Sequence, residues 1–520
     1  MKKLSLVLLL VLAGVTAAMA QRTISGTVTD VEGEALIGAS ILGKGTSTGT
    51  VTDIDGNYSL RVGEDVQTLV FSYTGFVTQE IDIGASDVID VQLKEDVAQL
   101  EEIVVTGYGV KRQKDITGSV SSVKSEEFLN EAGVTVQSAL RGRAAGVVVQ
   151  QTSGAPGAGF NVRVRGATSI NASNAPLYVV DGIPIISDPA SQVDLGGQNQ
   201  NPLADLNPNE IESIEVLKDA SAAAIYGSRG ANGVVLITTK SGKAGETKIN
   251  FDASYGVQDL PNPIDIVDRE GYREYMTELF GSPEVAAGAL PGDNNWQDLI
   301  FRESNIQEYN LSANGGNEKT RFFAGMSYSD NEGILEGTSF TRYSARLNLD
   351  NYVTEKLSFN VNLGFTRSDN QPVQNDNNIF GAVSTAILLP PTVPVFNEDG
   401  SYGTAFGLEN PVAATTLYDQ NIVTNRVIGN IGARYKILPY LTFQTKLGVD
   451  LLSLREDLFE PSGLQSSVQG TKTVGTTNNL RVVNNYTLNF QKRFDRHSIN
   501  ALAGFEMQQD EIQSTFSVVN

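Results

Sequence analysis

The stretch Lys248-Ile249-Asn250-Phe251-Asp252-Ala253-Ser254-Tyr255-Gly256-Val257 decides the architecture of this chain. Ile249, Phe251, Ala253, Tyr255 and Val257 alternate with Lys248, Asn250, Asp252, Ser254 and Gly256. Successive strand side chains point to opposite faces, so period 2 writes one apolar face and one polar face. The pattern recurs at Tyr309-Leu311-Ala313, Phe322-Ala324-Met326-Tyr328, Tyr343-Ala345-Leu347-Leu349 and Leu357-Phe359-Val361-Leu363-Phe365. It continues at Val427-Ile431-Ala433-Tyr435, Leu441-Phe443-Thr445-Leu447-Val449, Leu480-Val482-Tyr486-Leu488-Phe490 and Ile499-Ala501-Ala503-Phe505, and a tenth strand is expected from about Gln513. Such a series is the signature of a transmembrane β-barrel.

The connections alternate in length. Short ones fall at 314–319, 351–356, 436–440 and 491–497, and longer ones at 258–305, 329–341, 366–425 and 451–479. Outer-membrane barrels have short periplasmic turns and long outer loops. This predicts a first strand that starts in the periplasm, with the preceding domain on that side. Tyr328, Tyr343, Tyr435 and Phe505 lie near strand ends, as interfacial girdles require. A soluble sandwich is the competing architecture, but it gives no reason for loop alternation.

The 520 residues carry a net charge of -22, no Cys and one His. The charge repels phosphate backbones and argues against nucleic acid as a partner. The missing Cys excludes disulfides, thiol catalysis and Cys-based zinc sites. The start reads as an export signal over residues 1–20: Lys2 and Lys3, an apolar run from Leu4 to Val15, then Ala18-Met19-Ala20 before Gln21. A membrane anchor is the alternative, against which the run is short.

Residues 22–97 read as a small all-β domain, with Ile24-Ser25-Gly26-Thr27-Val28 alternating and Leu69-Val70-Phe71-Ser72-Tyr73 a buried strand. Asp55-Gly56-Asn57 reads as a hairpin turn, since the carboxylate spacing of a calcium loop is not met. Gly38-Ala39-Ser40-Ile41-Leu42-Gly43-Lys44-Gly45 lacks the Ser or Thr after Lys that a phosphate loop needs, and no helix follows it. Residues 98–109 form a linker holding Glu102-Ile103-Val104-Val105-Thr106-Gly107. Its β-branched core suits pairing with a partner's sheet edge, or equally an internal strand.

Residues 110–243 read as a compact mixed α/β domain. Asn161–Arg165, Leu177–Val180, Ile211–Leu217 and Val234–Thr239 are expected as strands, 136–143 and 219–226 as short helices, and Asp181-Gly182-Ile183-Pro184 as a turn. The Gly-rich run Gly227-Ser228-Arg229-Gly230-Ala231-Asn232-Gly233 ends a helix rather than opening one, which counts against a dinucleotide site. Residues 248–520 are the strand ladder.

Catalytic chemistry is scarce. His497, the one histidine, stands beside Arg493 and Arg496 at a short turn, without the cleft and nucleophile a hydrolase triad needs. Acid pairs for glycoside hydrolysis are available in number, but none is singled out by context. Trp296, in the first long loop, is a ligand-stacking candidate or, more simply, a packed loop aromatic.

In order along the chain, these pieces resemble the SusC/RagA family of TonB-linked outer-membrane proteins from Bacteroidetes. Ile24–Val91 resembles the carboxypeptidase-regulatory-like β-sandwich that precedes the receptor, and Leu100–Gly109 the TonB-box region. The runs 141–147, Val162-Arg163-Val164-Arg165-Gly166 and Pro176–Pro184 resemble the plug. The most specific block is 211–242, with Asp219, Tyr226, Gly227, Arg229, Gly230 and Gly233; Arg163, Arg165, Asp181 and Gly182 complete the plug motif. The resemblance implies a mainly β protein: signal peptide, sandwich, plug and antiparallel barrel. It implies import of oligosaccharides or peptides, without a cofactor or enzymatic step. It also implies three partners: outer-membrane lipid, a SusD-type surface lipoprotein as lid, and TonB, driven by ExbB/ExbD. TonB would grip Glu102, Ile103, Val104, Val105, Thr106 and Gly107. Arg163 and Arg165 are expected to face Glu212 or Glu215.

Barrels of this family have about 22 strands, against the nine or ten read here. The chain ends Ser517-Val518-Val519-Asn520, without a terminal aromatic strand. An N-terminal portion of a longer barrel, or a truncated gene product, is therefore expected. A passive outer-membrane adhesin and a secreted β-rich glycan-active enzyme are the rival readings.

Overall fold

A computed structural model describes residues 22–519, apart from 95–102, 107–108, 113–119, 130–134, 194–202, 286–288, 373–378, 463–468 and a few other loop positions. The export signal of residues 1–20, Glu102 and Gly107 lie outside the described residues. The chain divides into two compact units: Met1–Val104 with Lys111–Asp115, and Val105–Val110 with Ile116–Asn520.

The first unit is a β-sandwich. One sheet orders Asn57–Val62, Arg22–Thr29 and Val91–Gln92; the other orders Gly49–Val51, Ser40–Gly43, Thr68–Ser72 and Gln79–Asp82. Alternate residues meet between the sheets, among them Ile24, Val28, Ile41, Leu69 and Phe71, all at 0% exposure. Tyr58 packs edge-on against Phe71 at 5.5 Å and donates to the Ile89 carbonyl at 2.9 Å; burial pushes its hydroxyl up to about 12. The Asp53 carboxylate accepts from the backbone N–H of Asn57 at 2.8 Å and of Asp55 at 3.0 Å. These bonds hold it below the usual carboxylate range and make the segment a turn.

The second unit opens with a five-stranded sheet. Its strands are β1 (Val120–Lys124), β4 (Leu177–Val180), β5 (Ile183–Pro184), β6 (Ile211–Leu217) and β7 (Val234–Thr239), in the order β1-β6-β7-β4-β5. A separate hairpin pairs β2 (Val147–Gln151) with β3 (Phe160–Val164). Two expectations are corrected. Residues 136–143 are turns around the single 3-10 turn Ser138–Leu140. The helix expected over 219–226 stops at Ala220–Ala223 and gives way to a 3-10 run over Ala224–Gly230. Gly227 breaks it at φ 61, ψ -147, a conformation open essentially only to glycine.

Nine antiparallel strands follow as one sheet in strict sequence order. They are β8 (Gly245–Gln258), β9 (Ser304–Gly316), β10 (Thr320–Glu332), β11 (Ser339–Tyr352), β12 (Leu357–Gln371), β13 (Asp419–Leu438), β14 (Leu441–Glu460), β15 (Thr471–Phe494) and β16 (His497–Val519). The tenth strand expected at Gln513 is the far half of β16. The loop expected over 451–479 shrinks to 461–470, because β14 and β15 run past the apolar band into polar sequence. Loops at one end are the long ones; turns at the other end span two to four residues.

This wall has an inverted amphipathicity. On β11, Arg342, Ser344, Arg346 and Asn348 are buried, while Tyr343 and Leu347 are 47% and 45% exposed. Phe251, Met326, Ile431 and Phe505 are likewise exposed by more than half. A soluble sandwich would bury that apolar face. On β12 it runs from Leu357 to Phe365, roughly 26 Å along the strand at about 3.3 Å per residue. That length crosses most of an apolar belt of about 25 Å. No helix among the described residues is long and apolar enough to cross a membrane, which says nothing about strands.

The long loops fold on each other. Helices α1 (Arg269–Phe280) and α2 (Trp296–Ile300) come from one, α3 (Ala382–Leu388) and α4 (Pro411–Thr416) from another. Trp296 is fully buried with Ile300, Ala382, Ala386, Leu389 and Val393, and its indole N–H donates to the Pro390 carbonyl at 3.1 Å. It is a packed loop aromatic, not a stacking platform. Trp296→Ala is expected to cost the loop cap about 3–5 kcal/mol. The loops at 259–303 and 372–418 then become protease-sensitive while the strands stay resistant. Since Trp296 is the one tryptophan of the chain, its emission reports this cap alone.

Candidate functional site

The charged face of the wall meets the first sheet of the same unit along a ladder of contacts. The Val180–Ile183 pair is joined by Asp181 (φ 48) and Gly182 (φ 83), both left-handed, as a tight hairpin turn demands. The segment after this turn is held by its backbone. Lys446 Nζ donates to the Asp181 carbonyl at 2.6 Å and Arg481 to the Ile185 carbonyl at 2.7 Å. Arg426 donates to the Ile186 carbonyl at 2.6 Å, and Asp450 accepts the Ile186 N–H at 2.7 Å. Arg426 and Asp450 fork onto each other at 2.9 and 2.8 Å. One residue, Ile186, is thus gripped through both its backbone N–H and its carbonyl by a buried ion pair. Further along, Glu456 accepts from the Ser191 hydroxyl and from the Gln192 N–H at 2.7 Å.

A second cluster holds the segment before β6. Glu210 accepts from Arg346 Nε at 2.6 Å and from Ser344 at 2.6 Å, and Arg346 also faces Asp181 at 3.9 Å. Arg342 donates to the Ala204 carbonyl at 2.9 Å. Asp205 accepts from Ser368 at 2.9 Å and faces Arg426 at 3.9 Å. Burial pushes the Asp205 carboxyl up, against the pull of Arg426 and Ser368. The wall also approaches closely: a Cβ on Gly448 would lie 2.5 Å from Ile183 Cδ1, so any larger residue would force the Ile183 side chain to shift.

The residues singled out in the sequence fall into three groups. Asp181 and Gly182 stand in the contact itself; the Asp181 carboxylate also accepts from the Thr239 N–H at 2.9 Å and hydroxyl at 2.8 Å. Arg229 reaches the wall through Glu506 and Gln508 of β16. Tyr226 is buried with Val179, Leu217 and Leu236, while Gly227, Gly230 and Gly233 shape the turn into β7. Arg163 is exposed on β3. Arg165 does not face Glu212 or Glu215: it pairs with Asp219, because β3 ends beside the turn after β6. Ile103–Thr106 forms a two-stranded sheet with Gly109–Arg112.

Glu215 instead takes the Ser213 hydroxyl at 2.6 Å, and its Oε2 is buried without a partner among the described residues. Burial raises its carboxyl. A raised folded-state value contributes stability that is complete below about pH 4.3, the unfolded value, and is lost as pH rises through the folded one. Glu215→Gln is therefore expected to flatten the melting temperature against pH above about 4.3 and to change little below it. An unchanged slope would exclude this role for Glu215.

Sequence reasoning missed Arg342, Arg346, Arg426, Lys446, Asp450 and Arg481. Their signal was present: each occupies the polar parity of an alternating strand, where a water-filled lumen would accept any small polar residue. Among the described residues, no group of three or more His, Asp or Glu stands placed to hold a metal ion.

The geometry is that of a sheet domain seated largely by charges against the polar face of a membrane-type β-wall, the arrangement of a plug against part of a barrel wall. Residues 112–234 match the TonB-dependent Receptor Plug Domain family, and residues 24–105 the CarboxypepD_reg-like domain family. The chain is 34% identical to TonB-dependent receptor P3 of Formosa agariphila, over 98% of the chain and 50% of that protein. It is 32% identical to TonB-dependent receptor SusC of Bacteroides thetaiotaomicron, over 85% of the chain and 46% of that protein. The solved RagAB peptide importer in its open-open state aligns at TM-score 0.69 and 26% identity, covering 80% of this chain and 50% of that one. The unliganded ferric citrate transporter FecA shares the fold at TM-score 0.51 and 13% identity. The chain belongs to the SusC/RagA-type TonB-dependent receptors, a family of outer-membrane β-barrel proteins that are not enzymes. It spans about half the length of the curated relatives it matches.

Proposed function

We propose that the protein takes part in energised import of oligosaccharides or peptides across the outer membrane. The observation that carries this reading is the grip on the plug backbone at Asp181–Ile186. A plug held mainly through buried ion pairs and backbone hydrogen bonds stays seated at rest, and its apolar contacts with the wall are small: Ile428 joins the plug core, and Val193 packs with Ile422, Leu454 and Leu458. In this reading the short-turn end and the sandwich face the periplasm. The long-loop end carries a SusD-type lipoprotein as lid. TonB, driven by ExbB/ExbD, pairs with the segment 102–107 and pulls. The RagAB peptide importer supports peptides as cargo, and the TonB-dependent receptor SusC supports dependence on TonB.

The test is uptake by cells carrying the protein, with and without residues 102–107, and with and without a protonophore. Uptake that is lost in both cases, with the protein still in the outer membrane and still binding ligand, supports energised import. Uptake that survives both leaves a passive ligand-binding protein instead.

A further inference from the structure

The wall face turned away from the plug carries a groove of about 440 Å³ across β8–β12. Ala313, Ala324 and Ala345 place only methyl groups there, so the surface recedes between Leu311, Met326 and Phe365. Leu311, Met326, Ala345 and Phe365 are direct cross-strand neighbours, one register row of the sheet. Two residues nearer the long-loop end, on the same face, the next row reads Tyr309, Tyr328, Tyr343, Arg367. The Tyr309 and Tyr328 rings stack at 6.3 Å, and Tyr328 meets Tyr343 at 5.1 Å. Arg367 forks onto Asp369 at 3.2 and 3.1 Å, with both side chains part-exposed. The groove therefore has an apolar trough, an aromatic rim and, at that rim, one positive group, Arg367, beside two negative ones, Asp369 and Asp330.

We propose that this groove is a lipid site, taking one acyl chain of a lipid whose headgroup carries both a phosphate and an ammonium. The phosphate sits on Arg367 and the ammonium on Asp369. The proposal rests on the membrane reading of the wall, not on transport. The trough lies within the apolar band and the tyrosines at its border, where amphipathic rings collect in membranes. Charge complementarity selects the headgroup. A guanidinium matches phosphate bidentately, yet a purely anionic headgroup would also meet Asp369 and, on the neighbouring row, Asp330. An exposed Arg–Asp pair contributes little by itself, so its opening to a headgroup of matching signs costs little. A comparable pair, Arg455 with Asp457 at 2.7 and 2.9 Å, stands on β14 beyond that groove and serves as an internal control.

The test is lipid retention by the purified protein in detergent, read by native mass spectrometry with phosphatidylethanolamine and phosphatidylglycerol supplied in equal amounts. The expected result is one retained phosphatidylethanolamine, preferred about tenfold over phosphatidylglycerol. Arg367→Gln should remove the preference, and Ala345→Leu should remove retention by filling the trough. Arg455→Gln should leave both unchanged. Trp296 emission checks that each variant keeps its loop cap. Equal retention of both lipids, or variants that retain as the parent does, would mean non-specific annular lipid and overturn the site. A protein that stays in solution without detergent would overturn the membrane reading as well; loss of the lipid preference alone leaves import untouched.

Discussion

Arg426→Met is expected to destabilise the seated plug by about 3–5 kcal/mol, the usual result of removing one partner from a buried ion pair. Arg426 is 2% exposed and Asp450 is 0% exposed. Without the guanidinium, Asp450 keeps, among the described residues, only the Ile186 N–H as a hydrogen-bond partner, and the Ile186 carbonyl loses the Arg426 donor. A desolvated carboxylate with one hydrogen bond is far costlier than the pair it came from. Arg426→Lys should not rescue, since one ammonium cannot serve both Asp450 oxygens and the carbonyl in the geometry of the fork. The double variant with Asp450→Leu removes the stranded charge and should fall short of the summed single losses by more than about 1 kcal/mol. The measurement is thermal unfolding in detergent together with protease access to the plug at Ile183–Ile186. A single variant within about 1 kcal/mol of the parent would show that the grip is not what seats the plug.

The same ion pair marks the limit of what the sequence disclosed. The wall strands were legible wherever one parity is apolar, as from Leu357 to Phe365. They became invisible where both faces turn polar, as at Arg455-Glu456-Asp457, and there a strand was taken for loop. The reason is physical: above the apolar band the outward face meets headgroups and water, so the hydrophobic period fades while backbone pairing continues. Asp181 and Gly182 were legible because the turn needs two left-handed residues. What grips this turn and the residues after it was not, since Lys446, Arg481 and Arg426 bind the main-chain carbonyls of Asp181, Ile185 and Ile186, and a carbonyl carries no residue identity. The Arg165–Asp219 pair failed for a related reason. It depends on which loop β3 ends beside, and sequence spacing holds no information on that.

Val104→Pro and Val105→Pro are expected to abolish uptake in at least one case, while Val104→Ala and Val105→Ala leave it within a few-fold of the parent. Ile103–Thr106 already spends one edge on Gly109–Arg112. In an antiparallel pair, neighbouring residues send their N–H groups to opposite edges. One of the two prolines therefore removes a donor from the hairpin, and the other removes it from the open edge, where TonB would add as a further strand. Force transmission of this kind depends on a row of backbone hydrogen bonds, so alanine, which keeps the N–H, is tolerated. A contact through the valine side chains predicts the reverse order, with alanine harmful. Uptake, outer-membrane content and ligand binding are measured on all four variants. Both prolines transporting at the parent rate would exclude strand addition at this segment. Loss of uptake in the open-edge proline alone, with ligand binding intact, would place the pull on that edge and leave the hairpin as the lever that passes it to the plug.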